Sequence, residues 1–211
     1  MSSQSAVSPR RRLPREERTR QLLEVAWQLI GDEGTDALTL GNLAEAAGVT
    51  KPVVYDHFGT RNGLLSALYQ DYDERQTRIF DAAIEAAAAN LQDKSRVIAA
   101  SYVDCVLTQG REISDVVAAL NGSPELAAVK KRYQHAFIEK CAAILAPFCA
   151  HGGTSPAGMW AMLGAADSLS DAAVAGDISE EQAQDELQAV ILGMVERSRQ
   201  GGKAQPEPSA G

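Results

Sequence analysis

Apolar residues recur along this chain at intervals of three and four, and no stretch alternates with the period of two that a half-buried strand requires, so the pattern predicts an all-α protein. Leu22, Ala26, Leu29 and Ile30 draw a first stripe and predict a helix from Pro14 to Ile30, closed by Gly31 and Gly34. Leu43, Ala44 and Ala47 draw a second, shorter one, with Thr39 placed to accept a hydrogen bond from a first-turn N–H. Gly48 stands where the chain needs a left-handed residue, and Val49 is expected to tuck back under the turn. Thr50 is expected to cap a further helix in the same way, with Pro52 in its first turn, where the missing N–H leaves no gap. That helix carries Val53, Val54, Tyr55, His57 and Phe58, and Gly59 stops it.

From Arg61 to about Leu91, the stripe Leu65, Leu68, Tyr69, Tyr72, Ile79, Phe80, Ala83 and Ile84 predicts one long helix or two in near succession, a lever between the N-terminal part and the rest. The alanine run 86–89 is expected in a close helix contact. Val97, Ile98, Tyr102, Cys105 and Val106 mark the next helix; Ile113, Val116, Val117 and Leu120 mark a short one ending at Asn121-Gly122. Ser123-Pro124-Glu125 restarts the chain for a helix carrying Leu126, Val129, Tyr133, Phe137, Cys141, Ile144 and Phe148, broken or kinked near Pro147. Ser155-Pro156 opens another with Met159, Trp160, Leu163, Ala166, Leu169, Ser170 and Ala173, and residues 177–180 cap a last one with Leu187, Val190, Ile191, Met194 and Val195.

Composition changes this picture little. The 211 residues are 45% hydrophobic and 23% charged, which fits a globular chain with a sizeable core. No run of 18 apolar residues occurs and the N-terminus lacks an apolar leader segment, so neither a membrane partner nor secretion is expected and the cytoplasm is the default. Cys105, Cys141 and Cys149 are widely spaced and form no C-x-x-C pair; with His151 they read as small hydrophobes and a surface His rather than metal ligands, and no metal or other cofactor is expected.

Charge changes it more. The net charge is −8, which argues against nucleic acid until its distribution is read: residues 1–62 balance eight basic against eight acidic side chains, and the remainder carries the whole −8. Six arginines stand in the first 20 residues against Glu16 and Glu17, so an acidic body ends in a basic tip and favours one orientation of approach to DNA. Residues 1–13, rich in Ser, Pro and Arg, are expected to be a disordered basic arm in which Arg10, Arg11 and Arg12 either track phosphates or stay solvated; residues 200–211 are expected to be a disordered tail.

The stretch from Thr39 to Phe58 carries the chemistry. A helix that only had to pack gains nothing from a face of Lys51, Tyr55, Asp56 and His57, whereas a helix in a major groove needs donors for phosphates and small apolar groups for thymine methyls. The alternative is an ordinary αα-corner. The run Thr39, Ala44, Ala47-Gly48-Val49-Thr50-Lys51, Tyr55, His57-Phe58, Arg61 and Leu64-Leu65 resembles the tetracycline-repressor (TetR) family of bacterial transcription regulators over roughly residues 15–70. Two departures stand out: Arg61 replaces the family's usual Lys, and Asn62-Gly63 replaces its usual acidic pair, so a capping box with Thr60 is expected to be absent and the next helix to start weakly.

The resemblance implies an N-terminal three-helix helix-turn-helix domain over 14–62, an effector-binding and dimerisation domain over 63–199, and a homodimer built from the last two helices, whose Gly164, Ala165, Ala166, Ala172 and Ala173 suit close approach. Two recognition helices about 34–36 Å apart then meet an imperfectly palindromic double-stranded operator. Phosphate contacts fall to Tyr55, His57 and Arg61, with Thr39 and Lys51 near the backbone or a base edge; Thr50, Pro52 and Val53 face bases, while Leu43, Val54 and Phe58 pack. Tyr102, Cys105, Tyr133, Phe137 and Trp160 are the candidate liners of an apolar pocket for a small-molecule effector, each joining an apolar body to a polar or polarisable group, with Asp104, Gln109 and Arg111 able to orient the ligand. The plainer alternative makes these aromatics ordinary core. A ligand-responsive repressor is thus expected, with a regulator controlled by a partner protein as the alternative. An enzyme is disfavoured, because no nucleophile with a base, phosphate loop or metal-ligand cluster is legible.

Overall fold

The computed structural model describes residues 13–108, 111–120, 122–150 and 153–201, and the side chains of Arg111, Glu112, Ser114, Asp115 and Gly201 are not among those described. It divides into two compact units between Leu68 and Tyr69. Among the described residues there is no strand, and nine α-helices follow one another: α1 (Arg15–Glu33), α2 (Leu40–Ala46), α3 (Lys51–Phe58), α4 (Arg61–Ala86), α5 (Leu91–Leu107), α6 (Arg111–Leu120), α7 (Pro124–Leu145), α8 (Pro156–Ala175) and α9 (Glu180–Gly201). The all-α expectation therefore holds. No described helix is long and apolar enough to cross a membrane, and no group of three or more described His, Cys, Asp and Glu residues is arranged to hold a metal ion.

In the first unit most of the three-and-four stripe is buried, with Leu29 and Ala47 only half so: Leu22, Ala26 and Ile30 of α1 enter a core with Leu38, Leu43, Val54, Phe58, Leu64, Leu65 and Leu68. Each fully buried leucine is worth about 1.5–3 kcal/mol relative to exposure. Helix α1 runs past Gly31 and stops at Gly34, whose N–H bonds the carbonyl of Ile30 at 2.8 Å. A 3-10 turn over Thr35–Ala37 then leads into α2. Thr60 supplies half of the cap that Asn62-Gly63 was expected to forfeit, since its Oγ1 accepts from the N–H of Gly63 at 3.0 Å. Only the reciprocal acidic half of the box is missing. A Cβ at Gly63 would run into the carbonyl of Phe58, so the short link from α3 into α4 needs a residue without a side chain there.

In the second unit α5, α8 and α9 pack on one another. Ile98, Ala99 and Val103 of α5 meet Met159, Met162 and Ala166 of α8 and Ala183, Leu187, Ile191 and Val195 of α9, with Cys141 and Leu145 of α7 closing the cluster. Gln188, buried on α9, donates to the carbonyl of Gln92 at 2.9 Å and to Ser95 Oγ at 3.2 Å, so its amide is satisfied inside this layer. Asn90, Ser123 and Ser155 cap α5, α7 and α8 through their side chains. The one long helix, or two in near succession, expected over residues 61–91 is a single helix that ends at Ala86. The alanine run is not a helix contact but a mostly exposed turn, closed by Lys94 Nζ donating to the carbonyls of Ile84 at 2.5 Å and Ala87 at 2.9 Å. Alanine favours helix but supplies no apolar face, whereas Asn90 and Lys94 supply the groups that end one helix and start another. Ile79, assigned to the buried stripe of α4, is 62% exposed. Helix α7 stops at Leu145, and Pro147 sits in a 3-10 turn over Ala146–Phe148. At the C-terminus α9 continues through Gln200 and Gly201; Arg10, Arg11, Arg12, Gln109, Asn121, His151 and 202–211 lie outside the described residues.

Candidate nucleic-acid interface

The turn between α2 and α3 follows from local chemistry. Thr39 Oγ1 accepts from the N–H of Asn42 at 3.0 Å and opens α2. Gly48 takes a φ of +63°, which an L side chain rarely tolerates, and this lets Val49 N–H return to the carbonyl of Ala44 at 2.9 Å. Thr50 holds the extended N-cap conformation of α3 but makes no side-chain cap bond, contrary to expectation. Pro52 has no N–H to offer it, and the N–H of Val53 bonds the carbonyl of Thr50 instead, at 3.0 Å. The Thr50 hydroxyl is left exposed.

Two side chains of α3 face inward, Val54 and Phe58. Lys51, Pro52, Tyr55 and Asp56 are exposed, Tyr55 by 53%, while Val53 and His57 are half-buried. Lys51 and Thr39 approach the same point: a Cβ at Gly41 would lie 3.7 Å from Lys51 Cε and 3.8 Å from Thr39 Oγ1, so an ammonium and a hydroxyl converge where α2 begins. Such a convergence of donors at a helix start suits an anion.

The first turns of α1 grip the last turn of α3. Arg15 donates through Nη1 to the carboxylate of Asp56 at 2.7 Å and through Nη2 to its carbonyl at 2.9 Å. An acidic group on this face repels phosphate, and Arg15 neutralises it. Four residues on, Thr19 Oγ1 lies 2.8 Å from His57 Nδ1. Burial, then the charges of Arg15 and Arg18, hold the His57 pKa below the ordinary histidine value, with Asp56 pulling the other way. Neither Thr19 nor the Arg15 clamp was singled out from sequence. Only the four-residue spacing of Arg15 and Thr19 hinted that they share a face, and nothing local reveals partners 38 and 41 residues away.

Arg61, expected on a phosphate, gives two of its nitrogens to backbone carbonyls. Its Nε donates to the carbonyl of Leu38 at 3.0 Å and its Nη2 to that of Thr35 at 2.7 Å, tying the start of α4 to the turn before α2. A planar fork presents Nε and Nη2 as two separate donors held in one plane, one for each carbonyl.

Of the five candidate pocket residues, four gather in the second unit. Tyr102 and Phe137 rings stand 5.4 Å apart, Phe137 and Phe80 5.8 Å, and Tyr133 and Tyr69 5.1 Å. Cys105 Sγ lies 2.8 Å from the hydroxyl of Tyr72, and Tyr102 donates to Asp167 at 2.5 Å. Burial and the Asp167 carboxylate push the Tyr102 hydroxyl far above its ordinary pKa, and burial with Asp73 does the same to Tyr69. Trp160 does not join them: it lies on the outer side of α8, 38% exposed, with its ring 5.1 Å from that of His135. The three-and-four stripe of α8 is carried inward by Met159, Met162, Leu163 and Ala166, one position round from the tryptophan. Asp104 is also turned away, accepting from Gln184 of α9 at 2.6 Å. A cleft of about 440 Å³ lined by Leu169, Ile178, Gln182, Asp185 and Glu186 contains none of the five.

A three-helix unit whose short third helix buries Val54 and Phe58 and exposes Lys51, Pro52 and Tyr55 defines a helix-turn-helix DNA-binding protein. Residues 22–68 match the family model of bacterial regulatory proteins, tetR family, and this helix-turn-helix stretch belongs to that family. It is 44% identical over 59 residues to the HTH-type transcriptional activator FasR of Mycolicibacterium smegmatis, covering 28% of this chain and 27% of that protein. To the HTH-type transcriptional regulator BetI of Rhizobium meliloti it is 32% identical over 85 residues, 40% of this chain and 42% of that one. The matches thus span less than half the length of these relatives. The fold extends further: a solved multidrug binding protein, EbrR, complexed with imidazole, superposes over 100% of both chains at 22% identity with a TM-score of 0.65.

Proposed function

We propose that this chain is a repressor that binds an imperfectly palindromic operator as a two-fold homodimer and leaves it when a small apolar or amphipathic ligand binds. The observation that carries the reading is the outward face of α3, where Lys51, Pro52 and Tyr55 are exposed beside the half-buried Val53 and His57. Tyr55, His57 and Lys51 with Thr39 serve the phosphates, Thr50, Pro52 and Val53 the base edges, and Arg61 acts through the turn it ties. The basic arm 1–13 and the domain over 14–62 bind DNA in this reading, and 63–199 receives the effector and dimerises.

The exposed side of α8 supports dimerisation through the last two helices. Ala157, Trp160, Ala161, Gly164, Ser168 and Asp171 recur on it at three and four, and open space surrounds Gly164. The half-buried tyrosines and Cys105 support an effector site: apolar bodies whose hydroxyls meet a thiol and a carboxylate fit an amphipathic molecule better than a pure hydrocarbon. EbrR, bound to imidazole in its crystal, is a protein of this fold that takes small molecules. Their rings are already packed on one another, so the ligand enters by parting them and selects a second conformation; emptying the operator requires a preference of about 10⁴ for that state. The same packing favours the second reading, a regulator controlled by a protein partner with a solid core.

Selection of duplexes from a random pool, with sedimentation of the free protein, tests the first reading. A palindromic consensus bound by a dimer is expected; a monomer without sequence preference at moderate salt refutes it. Ligand screening by thermal shift then separates an effector site from a solid core.

A further inference from the structure

The hydroxyl of Thr19 has one hydrogen and two neighbours. Its Oγ1 stands 3.0 Å from the carbonyl oxygen of Arg15, one turn back on α1, and 2.8 Å from Nδ1 of His57 on α3. Both contacts are hydrogen bonds at once only when the hydroxyl donates to the Arg15 carbonyl, which can only accept, and the ring supplies its hydrogen from Nδ1. The neutral imidazole is then held with Nε2 bare. A bare Nε2 offers a lone pair, which repels a phosphate oxygen; only the imidazolium donates from both nitrogens.

We propose that Thr19 is a positioning residue that fixes His57 in its Nδ1–H form, so that the recognition helix takes up a proton at His57 Nε2 when it docks on a DNA phosphate. The proposal rests on the reading of His57 as a phosphate contact made above. The charged groups acting on the ring are Arg15 and Arg18 from α1 and Asp56 from its own helix, and burial with the two arginines keeps the ring neutral in the free protein to a lower pH than usual. A phosphate acts in the opposite direction. The DNA-bound pKa therefore exceeds the free one, and affinity falls as pH rises between the two. Thr19→Val removes the acceptor that Nδ1–H needs. The neutral ring is then free to carry its hydrogen on Nε2 and donate without taking up a proton.

The test uses the full chain and the duplex it selects from a random pool, titrated by fluorescence anisotropy from pH 5.5 to 8 at constant salt, with His57→Gln as the baseline that lacks a titrating ring. The wild type is expected to lose up to about tenfold in affinity per pH unit per recognition helix over the coupled range, relative to that baseline. Thr19→Val should flatten the profile, and Thr19→Ser should restore it. Imidazole nitrogen chemical shifts in the free protein supply an independent reading, Nδ1–H in the wild type and a shift toward Nε2–H in Thr19→Val. A wild-type profile no steeper than the baseline, an unchanged slope in Thr19→Val, or an Nε2–H ring in the wild type each overturns the proposal while leaving the DNA reading standing. Failure to select any duplex overturns the DNA reading and the proposal with it.

Discussion

Arg61→Lys separates two jobs that the same side chain has been given. On a phosphate, Lys replaces Arg with little loss, because charge is retained. In the structure the guanidinium instead donates to two backbone carbonyls, of Leu38 at 3.0 Å in a partly buried setting and of Thr35 at 2.7 Å in an exposed one. A hydrogen bond from a charged donor contributes about 1.5–3 kcal/mol, and the exposed one sits at or below the lower end because water competes for both partners. Lysine has one nitrogen where Nε and Nη2 of the fork stand apart, so it cannot reproduce both bonds in place, and Arg61→Lys should cost about 1–2 kcal/mol and Arg61→Met about 2–4 kcal/mol. For a unit of this size, with total stability of about 5–15 kcal/mol, each kcal/mol lowers the melting midpoint by about 4–8 °C. Hydrogen exchange on the amides of α2 (Leu40–Ala46) reads the loss locally, with protection falling about tenfold for each 1.4 kcal/mol. Unchanged protection of α2 in both variants, together with a salt dependence of DNA binding reduced by about one phosphate in Arg61→Met, refutes the structural role and returns Arg61 to the DNA.

Three further outcomes are expected. Gly63→Ala places a Cβ against the carbonyl of Phe58 and should destabilise the first unit by about 1–3 kcal/mol in a denaturant titration; an unshifted midpoint contradicts the close approach. Tyr55→Phe should weaken binding to the selected operator by about tenfold and equally across sequence variants, as the loss of one hydrogen bond to a phosphate requires, and a change in sequence preference refutes that role. Burial pushes the Cys141 thiol up to about 12, so at pH 8 iodoacetamide should modify the half-buried Cys105 and Cys149 before it reaches Cys141 in the native protein; equal rates by mass spectrometry contradict the packing of α7.

Most of the fold was legible because most of its signals are local. A threonine at 39, a glycine at 48 and a proline at 52 each act through backbone within four residues, and the three-and-four stripe marks Val54 and Phe58 as inward and Lys51 and Tyr55 as outward whatever lies opposite. The same local rules failed where two of them competed. At Thr50 the N–H of Val53, which a side-chain cap would use, went to the backbone carbonyl of Thr50, and at the alanine run high propensity yielded to Asn90 and Lys94, which had groups to end a helix with.

By itself, then, the order of residues determined the helices, most of their caps and the outward face of α3, since periodicity and turn chemistry are decided within a few residues of backbone. Tertiary structure decided what those side chains do with their remaining valences. Arg15 met Asp56, Thr19 met His57 and Arg61 met the carbonyls of Thr35 and Leu38 across 23 to 41 residues of chain. Trp160 was sent outward, and Tyr102 found Asp167 across 65 residues. Such pairings depend on how helices are placed in space, and a hydrogen bond or a buried ring acts over a few ångströms whatever the separation along the sequence.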